Sequence, residues 1–294
     1  MQSQLLDKTK TFLSRVRRVV LRNTVYHHRY FTPIFIVSTG RTGTNFFDFF
    51  FNQSFHDVHC VHEPKPDFFD IGMSKIREGM LTEEVVDKVR ALRLDQINKM
   101  INAKKSYYIE SNPHLAYIIP ELKKAYPKAK FVVLSRDPRQ VVVSYYNKSP
   151  LNDNVMFTYA DNDHRLRLRA LDFEKDPYFY VWNDFSRIEK IAWFWNKCNE
   201  LIMSSLPFNS DRVLHLKYEE FFGSDNRRGE LKKLLYFVGL KMCDDDLIGL
   251  EKILDHKRNI NNNVLIRDFD TWQEEDQEKL LQLTKPMREI LGYA

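Results

Sequence analysis

Cysteine is scarce in this chain: 294 residues hold only Cys60, Cys198 and Cys243, far apart and without a C-x-x-C pair. That excludes a disulfide framework and a cysteine-rich zinc site, and a reducing compartment is the simplest inference. Long hydrophobic runs are lacking too. No stretch approaches the roughly 20 apolar residues that span a bilayer, and the arginine-studded first segment has no uninterrupted apolar core of the signal-peptide kind. The expectation is a cytoplasmic protein, with any peripheral membrane contact confined to the first thirty residues. Repeats, low-complexity segments and linkers are absent, which favours one domain over residues 31–294 beside an arm over 1–30.

An excess of positive charge across the body is also missing. The formal net charge is +5, but residues 1–30 carry Lys8, Lys10, Arg15, Arg17, Arg18, Arg22 and Arg29 against Asp7 alone. The remainder holds 38 basic and 39 acidic side chains, so a body-wide nucleic-acid face is excluded. In the arm, Leu5, Leu6, Phe12, Leu13, Val16 and Val20 fall on one side of a helix and Lys8, Arg15, Arg18 and Arg22 on the other. Such a basic amphipathic helix suits either an anionic membrane surface or packing of its apolar stripe on the body.

What is present is core material, 43% hydrophobic with 14% aromatic, which excludes disorder for most of the chain. From Pro33 short apolar runs alternate with longer helical stretches. Strands are expected at 34–38, 58–61, 106–110, 130–135 and 212–217. Helices are expected near 44–54, 83–103, 115–125, 138–147, 185–205, 229–239, 245–256 and 273–292. This alternation predicts an α/β fold with a mainly parallel central sheet flanked by helices. The polar stretch 149–176 reads as a long excursion or lid. Trp193 and Trp195 sit in a helical segment as core residues, with a sugar platform as the alternative.

The sharpest motif is Ser38-Thr-Gly40-Arg41-Thr42-Gly43-Thr44-Asn45-Phe46, where an apolar strand runs through a two-glycine turn into an amphipathic helix. Glycine permits the tight turn, and the first N–H groups of the helix form an anion cradle; an ordinary βα turn is the alternative. The Gly-Lys-[Ser/Thr] ending of a nucleoside-triphosphatase loop is absent. A second strand ends in Ser135-Arg136-Asp137-Pro138-Arg139, with Pro138 opening a helix that carries Ser144. Arg136 and Ser144 suit a second phosphate; the alternative is a capping Asp137 and an arginine paired with an acid.

As a pair, just under a hundred residues apart, these segments resemble the sulfotransferase family that uses 3′-phosphoadenosine 5′-phosphosulfate (PAPS). The likeness continues through Leu216-Lys-Tyr218-Glu-Glu-Phe and the Trp272 region to Leu291-Gly-Tyr293, and so spans roughly 33–293. It implies a P-loop nucleotide-hydrolase-like sulfotransferase fold, closest in style to carbohydrate and bacterial members, with PAPS as cosubstrate and no metal. Gly40, Arg41, Thr42, Gly43, Thr44 and Asn45 would hold the 5′-phosphosulfate. Phe46 stands where many members stack a tryptophan on adenine. Arg136 and Ser144 would hold the 3′-phosphate, Tyr218 would lie near adenine, and Lys257 and Arg258 would close over the nucleotide, although the family's Arg-Lys-Gly form is not reproduced.

Arg41 replaces the lysine of many relatives and would stabilise charge building on the transferred group. The acceptor hydroxyl must lose a proton. Glu63, in Val61-His62-Glu63-Pro64 at a strand end, resembles the glutamate base of carbohydrate-type members. His62 is the alternative base, disfavoured because its side chain points the other way if the strand continues, and an exposed loop glutamate is the structural alternative. Glu110 ends the third strand and would orient the acceptor or its base with Asn112 and His114 assisting, unless Ser111 or Asn112 simply caps the next helix. The expected partner is a hydroxyl-bearing small molecule or glycan, leaning to a carbohydrate or glycolipid; residues 65–80 and 149–180 carry no pattern that identifies it. The rivals are a nucleotide kinase on a related fold and a membrane-docking protein with a degenerate nucleotide site.

Overall fold

The protein is described by a computed structural model over residues 32–147, 159–160, 163, 166–240, 242–255 and 265–293. The arm over 1–30, most of 148–165, and Lys257 and Arg258 lie outside the described residues. In chain order come β1 (Ile34–Val37), α1 (Thr44–Ser54), β2 (Val58–His62), α2 (Phe69–Glu78), α3 (Thr82–Asn102) and β3 (Tyr107–Ser111). A 3₁₀ turn (Pro113–Tyr117) leads into α4 (Ile119–Ala125), β4 (Lys130–Ser135), α5 (Pro138–Asn147), α6 (Arg187–Ser205) and β5 (Val213–Lys217). The chain continues through α7 (Tyr218–Gly223), α8 (Arg227–Val238), α9 (Asp244–Ile253) and α10 (Glu274–Leu291).

The strands alternate faces with period two, and the burial follows. Phe35, Val37, Tyr108, Phe131 and Val133 meet α2, α3, α4 and α6 on one side. Ile34, Ile36, Ile109, Val132 and Leu134 meet the phenylalanines of α1 and the leucines of α8 and α9 on the other. Covered on both faces, the sheet is wholly parallel, in the order β2-β3-β1-β4-β5. Trp193 and Trp195 are both buried in the core, and the Ser186/Glu189 capping box starts their helix. No helix among the described residues is long and apolar enough to cross a membrane.

Two helices were not expected from sequence. For α2, Phe68 occupies the N-cap and caps nothing with its side chain; the residue before it, Asp67, accepts from the Phe69 N–H through Oδ1 at 3.3 Å instead, one position earlier than a usual cap. For α7, the helix follows β5 without an intervening turn residue. In the expected polar excursion, the described part holds one short 3₁₀ turn (Ala170–Asp172) and is pinned to α2 by Arg77 Nε donating to Asp172 Oδ1 at 2.8 Å.

The order matters because connections leave β1 toward one edge and β4 toward the other. The crevice beyond the carboxyl ends of β1 and β4 is thus the switch point where open α/β sheets take ligands.

The edge strand β5 carries a titratable weak point. His215 lies against Phe208, with ring centroids 4.1 Å apart, and burial lowers its pKa to about 4, against a backbone hydrogen bond that raises it. Between its unfolded value of 6.5 and about 4, only the unfolded chain takes the proton, so this share of stability is present above pH ~6.5 and is lost as pH falls. Urea midpoints should drop from pH 7 to pH 5, and drop less in His215→Phe; an equal drop in both would refute the assignment.

Candidate active site

The turn after β1 is built from left-handed residues. Gly40, Arg41 and Gly43 have φ of 81°, 58° and 85°, and Gly43 occupies the N-cap of α1, offering no side chain to its first N–H groups. Donors at that helix end are therefore left for an anion, with the helix dipole behind them. Thr42 is fully buried, and its Oγ1 has no hydrogen-bond partner among the described residues. A buried hydroxyl without a partner is costly, and this one lies within the turn. Ser111 Oγ donates to the Thr44 carbonyl at 2.8 Å, fastening the turn to the neighbouring strand end; Asn45 is half-buried on the same helix start.

The turn after β4 faces this one across the switch point. Arg136 Nη1 donates to the Arg41 carbonyl at 2.8 Å, and Arg41 Nε donates to Ser144 Oγ at 3.0 Å. Among the described residues neither guanidinium has a carboxylate within salt-bridge range, since Asp137 is taken by Arg139. Burial lowers the Arg41 pKa, with Tyr145 opposing and the Arg136 charge adding to the shift. Two cations without a carboxylate partner among the described residues, beside open backbone donors, are the chemistry an anion would need. Tyr145 hydroxyl donates to the Thr39 carbonyl at 2.7 Å and so braces the first turn. Tyr218 lies under Arg136, the guanidinium 4.1 Å from the ring centroid. Glu219 accepts from the Asp137 N–H at 3.0 Å and from the Tyr293 hydroxyl at 3.1 Å, bracing the second turn.

Beyond β2 the chain presents Glu63. Its N–H still donates to Ser111 O at 3.1 Å, extending the ladder, but its φ is 44°. The left-handed residue ends the strand's alternation, so His62 does not point away: its Nε2 lies 3.6 Å from Glu63 Oε1. His62 Nδ1 is 2.8 Å from Ser111 O; donating there leaves Nε2 facing Glu63. Both side chains are partly exposed, 18% and 32%.

Glu110 differs from the expectation of an acceptor contact. It is 0% exposed, on the α3 side of the sheet, and Arg93 grips it with Nε to Oε2 at 2.6 Å and Nη2 to Oε1 at 2.8 Å. Tyr108 hydroxyl adds a third bond, so both oxygens are occupied within the core. Asn112 caps the 3₁₀ turn, accepting from the His114 N–H at 2.9 Å. His114 Nδ1 lies 2.8 Å from Asp67 Oδ2. Burial pushes the Asp67 carboxyl up, but the hydrogen bond and charge of His114, with Asn112 and Lys65, hold it well below the usual carboxylate range.

Phe46 also departs from its expected role. It is 4% exposed and packed among Phe50, Phe221 and Phe222 in the core. The rings bordering Gly43 are instead Tyr218 and Phe222. Sequence reasoning missed Phe222, Tyr145, Asp67 and Arg93. Phe222 and Tyr145 each lie one residue beyond a segment already noted, while Asp67 lies in an unread stretch and Arg93 looks like any helix-surface arginine. No cluster of three or more His, Cys, Asp or Glu able to hold a metal occurs among the described residues.

A family model described as the sulfotransferase domain matches residues 31–265. A Caenorhabditis elegans protein named "Putative protein-tyrosine sulfotransferase" is 24% identical over 226 residues, covering 74% of this chain and 77% of that one. A mouse sulfotransferase structure complexed with PAP shares the fold, with a TM-score of 0.50 at 14% identity, covering 92% of this chain and 93% of that one.

The anion turn is crowded as well as left-handed. A Cβ on Gly40 would collide with the Tyr145 hydroxyl, whereas one on Gly79, also left-handed at 69°, meets nothing within 4 Å. Gly79→Ala should cost only the backbone penalty of about 1–2 kcal/mol. Gly40→Ala should cost about 1–3 kcal/mol more, read as a lower denaturation midpoint; equal costs would show that Tyr145 does not wall the turn.

Proposed function

Because this chain belongs to the sulfotransferase domain family, whose members transfer a sulfuryl group, we propose that it draws that group from PAPS and passes it to an acceptor hydroxyl with Glu63 as general base. The observation that carries the reading is the meeting of Arg136 with the Arg41 carbonyl and of Arg41 with Ser144 at the switch point. Two guanidiniums that have no carboxylate partner among the described residues, and the uncapped start of α1, fit a ligand with two separate phosphates.

In this scheme Arg136 and Ser144 take the 3′-phosphate, and the turn from Gly40 to Asn45 takes the 5′-phosphosulfate. PAPS supplies an activated sulfuryl group. Glu63 receives the acceptor proton as the acceptor oxygen attacks sulfur and the bridging S–O bond breaks, releasing adenosine 3′,5′-bisphosphate (PAP). Arg41 and the turn amides stabilise the charge that moves onto the bridging and equatorial oxygens, so positioning and electrostatics supply most of the rate. His62 Nε2, 3.6 Å from Glu63 Oε1, stands beside the base on the acceptor side. Tyr218 and Phe222, at the rim of the turn, are the rings offered to adenine. Lys257 and Arg258 remain proposed to close over the nucleotide.

Two acceptor classes have support. The Arg-bearing loop and the glutamate resemble carbohydrate-type members, which favours a glycan or glycolipid hydroxyl. The nematode relative's name favours a peptide tyrosine. A screen of both with radiolabelled PAPS separates them.

Calorimetry should show PAP binding to the folded protein without metal. No binding would sink the proposal, and preference for magnesium–ATP would favour a kinase. Glu63→Gln should leave PAP affinity within about twofold while kcat falls ~10²–10⁴-fold; an unchanged kcat would remove Glu63 from the base role.

A further inference from the structure

The most deeply buried ion pair among the described residues is Arg93–Glu110. Its members are 1% and 0% exposed. Taking two charges out of water offsets much of their attraction, and well-packed apolar residues of similar volume are often as stabilising or more so. Stability alone is therefore a weak reason for this pair. Its geometry gives a better one.

A guanidinium has five donors in a fixed fork, and Arg93 divides them. Nε and Nη2 hold the two Glu110 oxygens, while Nη1 donates to the Pro66 carbonyl at 2.7 Å. The flat face of the same group lies on the Phe68 ring, 3.6 Å from its centroid. Arg93 thus grips the loop after β2 at two residues, from the buried side of the sheet. Asp67, between them, is held from the other side. Its Oδ1 accepts from the Asn112 amide at 3.3 Å, and its Oδ2 lies 2.8 Å from His114 Nδ1. The Asn112 amide also reaches Glu110 Oε1 at 3.3 Å, so both grips on the loop join at the end of β3.

That loop begins at Glu63. At its start, the Glu63 N–H is fixed to Ser111 O at 3.1 Å; three residues on, Pro66 is fixed to Arg93. A non-glycine residue at φ 44° is sparsely populated and persists only where its surroundings over-determine it. The carboxylate's direction is set by this backbone, and the two tethers at 63 and 66–68 are what hold it.

We infer that Arg93, anchored by Glu110, is a positioning residue for Glu63: the buried pair sets the 63–68 loop and thereby aims the carboxylate at the acceptor. The inference rests on the reading of Glu63 as general base. Arg93 touches no reacting atom, and the charge of Glu110 serves to hold the fork in place.

Arg93→Lys tests this. Lysine keeps a positive charge beside Glu110 but has no fork to reach Pro66 O as well. The readouts are PAP affinity by calorimetry, and kcat and KM for radiolabelled PAPS. The acceptor is a tyrosine-bearing peptide or a non-sulfated glycosaminoglycan oligosaccharide, or water where neither is turned over. Arg93→Lys should lower kcat about 10- to 100-fold, the cost of a small misplacement at the reacting centre, with KM and PAP affinity within about twofold. In a Glu63→Gln background it should lower kcat no further, because the group it aims is gone. The same factor in both backgrounds, or no effect in either, would overturn the inference while leaving Glu63 as base. An unchanged kcat in Glu63→Gln alone would overturn the underlying reading. Should Arg93→Lys fail to fold, Asp67→Asn on the partly exposed side of the loop answers through the same cycle.

Discussion

Parallel pairing of β1 with β4, Ile34 opposite Lys130 through Val37 opposite Val133, ends both strands at nearly the same level. The turns that follow are therefore forced into one crevice, and the protein must solve the electrostatics of that crevice. It does so with two arginines joined through backbone and hydroxyl oxygens. Arg136 takes hold of the carbonyl of Arg41, and Arg41 takes hold of Ser144. Neither has an acid partner among the described residues. The near-neutral charge of residues 31–294 is thus compatible with strong local binding, because burial and placement, and not net charge, set the local field.

The remaining strand ends distribute the other roles along the sheet. On one side of the crevice β5 delivers Tyr218 beneath Arg136, with Glu219 bracing the turn above it. On the other side β3 and β2 deliver Asn112, His114, His62 and Glu63. The left-handed backbone at Glu63 brings His62 and Glu63 together where a continuing strand would separate them. Strand order thus places the two arginines centrally and the His62–Glu63 pair toward the β2 edge.

Most of the architecture was legible because it rests on local rules. Short apolar runs with β-branched and aromatic residues marked the five strands, and Pro138 and the paired glycines marked two helix starts. The anion turn and the Arg136 segment were legible for the same reason, each being a strand, a turn and a helix in sequence. What escaped depended on contacts between distant segments. Nothing around Phe46 says that Phe221 and Phe222 will enclose it, so it reads as a free ring when it is core. Nothing around Glu110 names Arg93, so a strand-end carboxylate reads as a site residue when it is an internal anchor. His62 was misdirected by assuming strand alternation past the point where one residue at positive φ stops it.

The setting of Arg41 carries a consequence for the fold. A guanidinium that is desolvated by burial and faces the Arg136 charge, without an acid partner among the described residues, is a store of unfavourable energy that the rest of the core must outweigh. The crevice is in that sense the frustrated part of a consistent fold. Selection for maximum stability would dismantle it, since a neutral side chain in place of either arginine relieves the repulsion and takes a cation from the proposed anion site in one step. The margin supplied by the two hydrophobic layers is what allows such a place to exist, and under the proposed function a bound dianion would offset its cost.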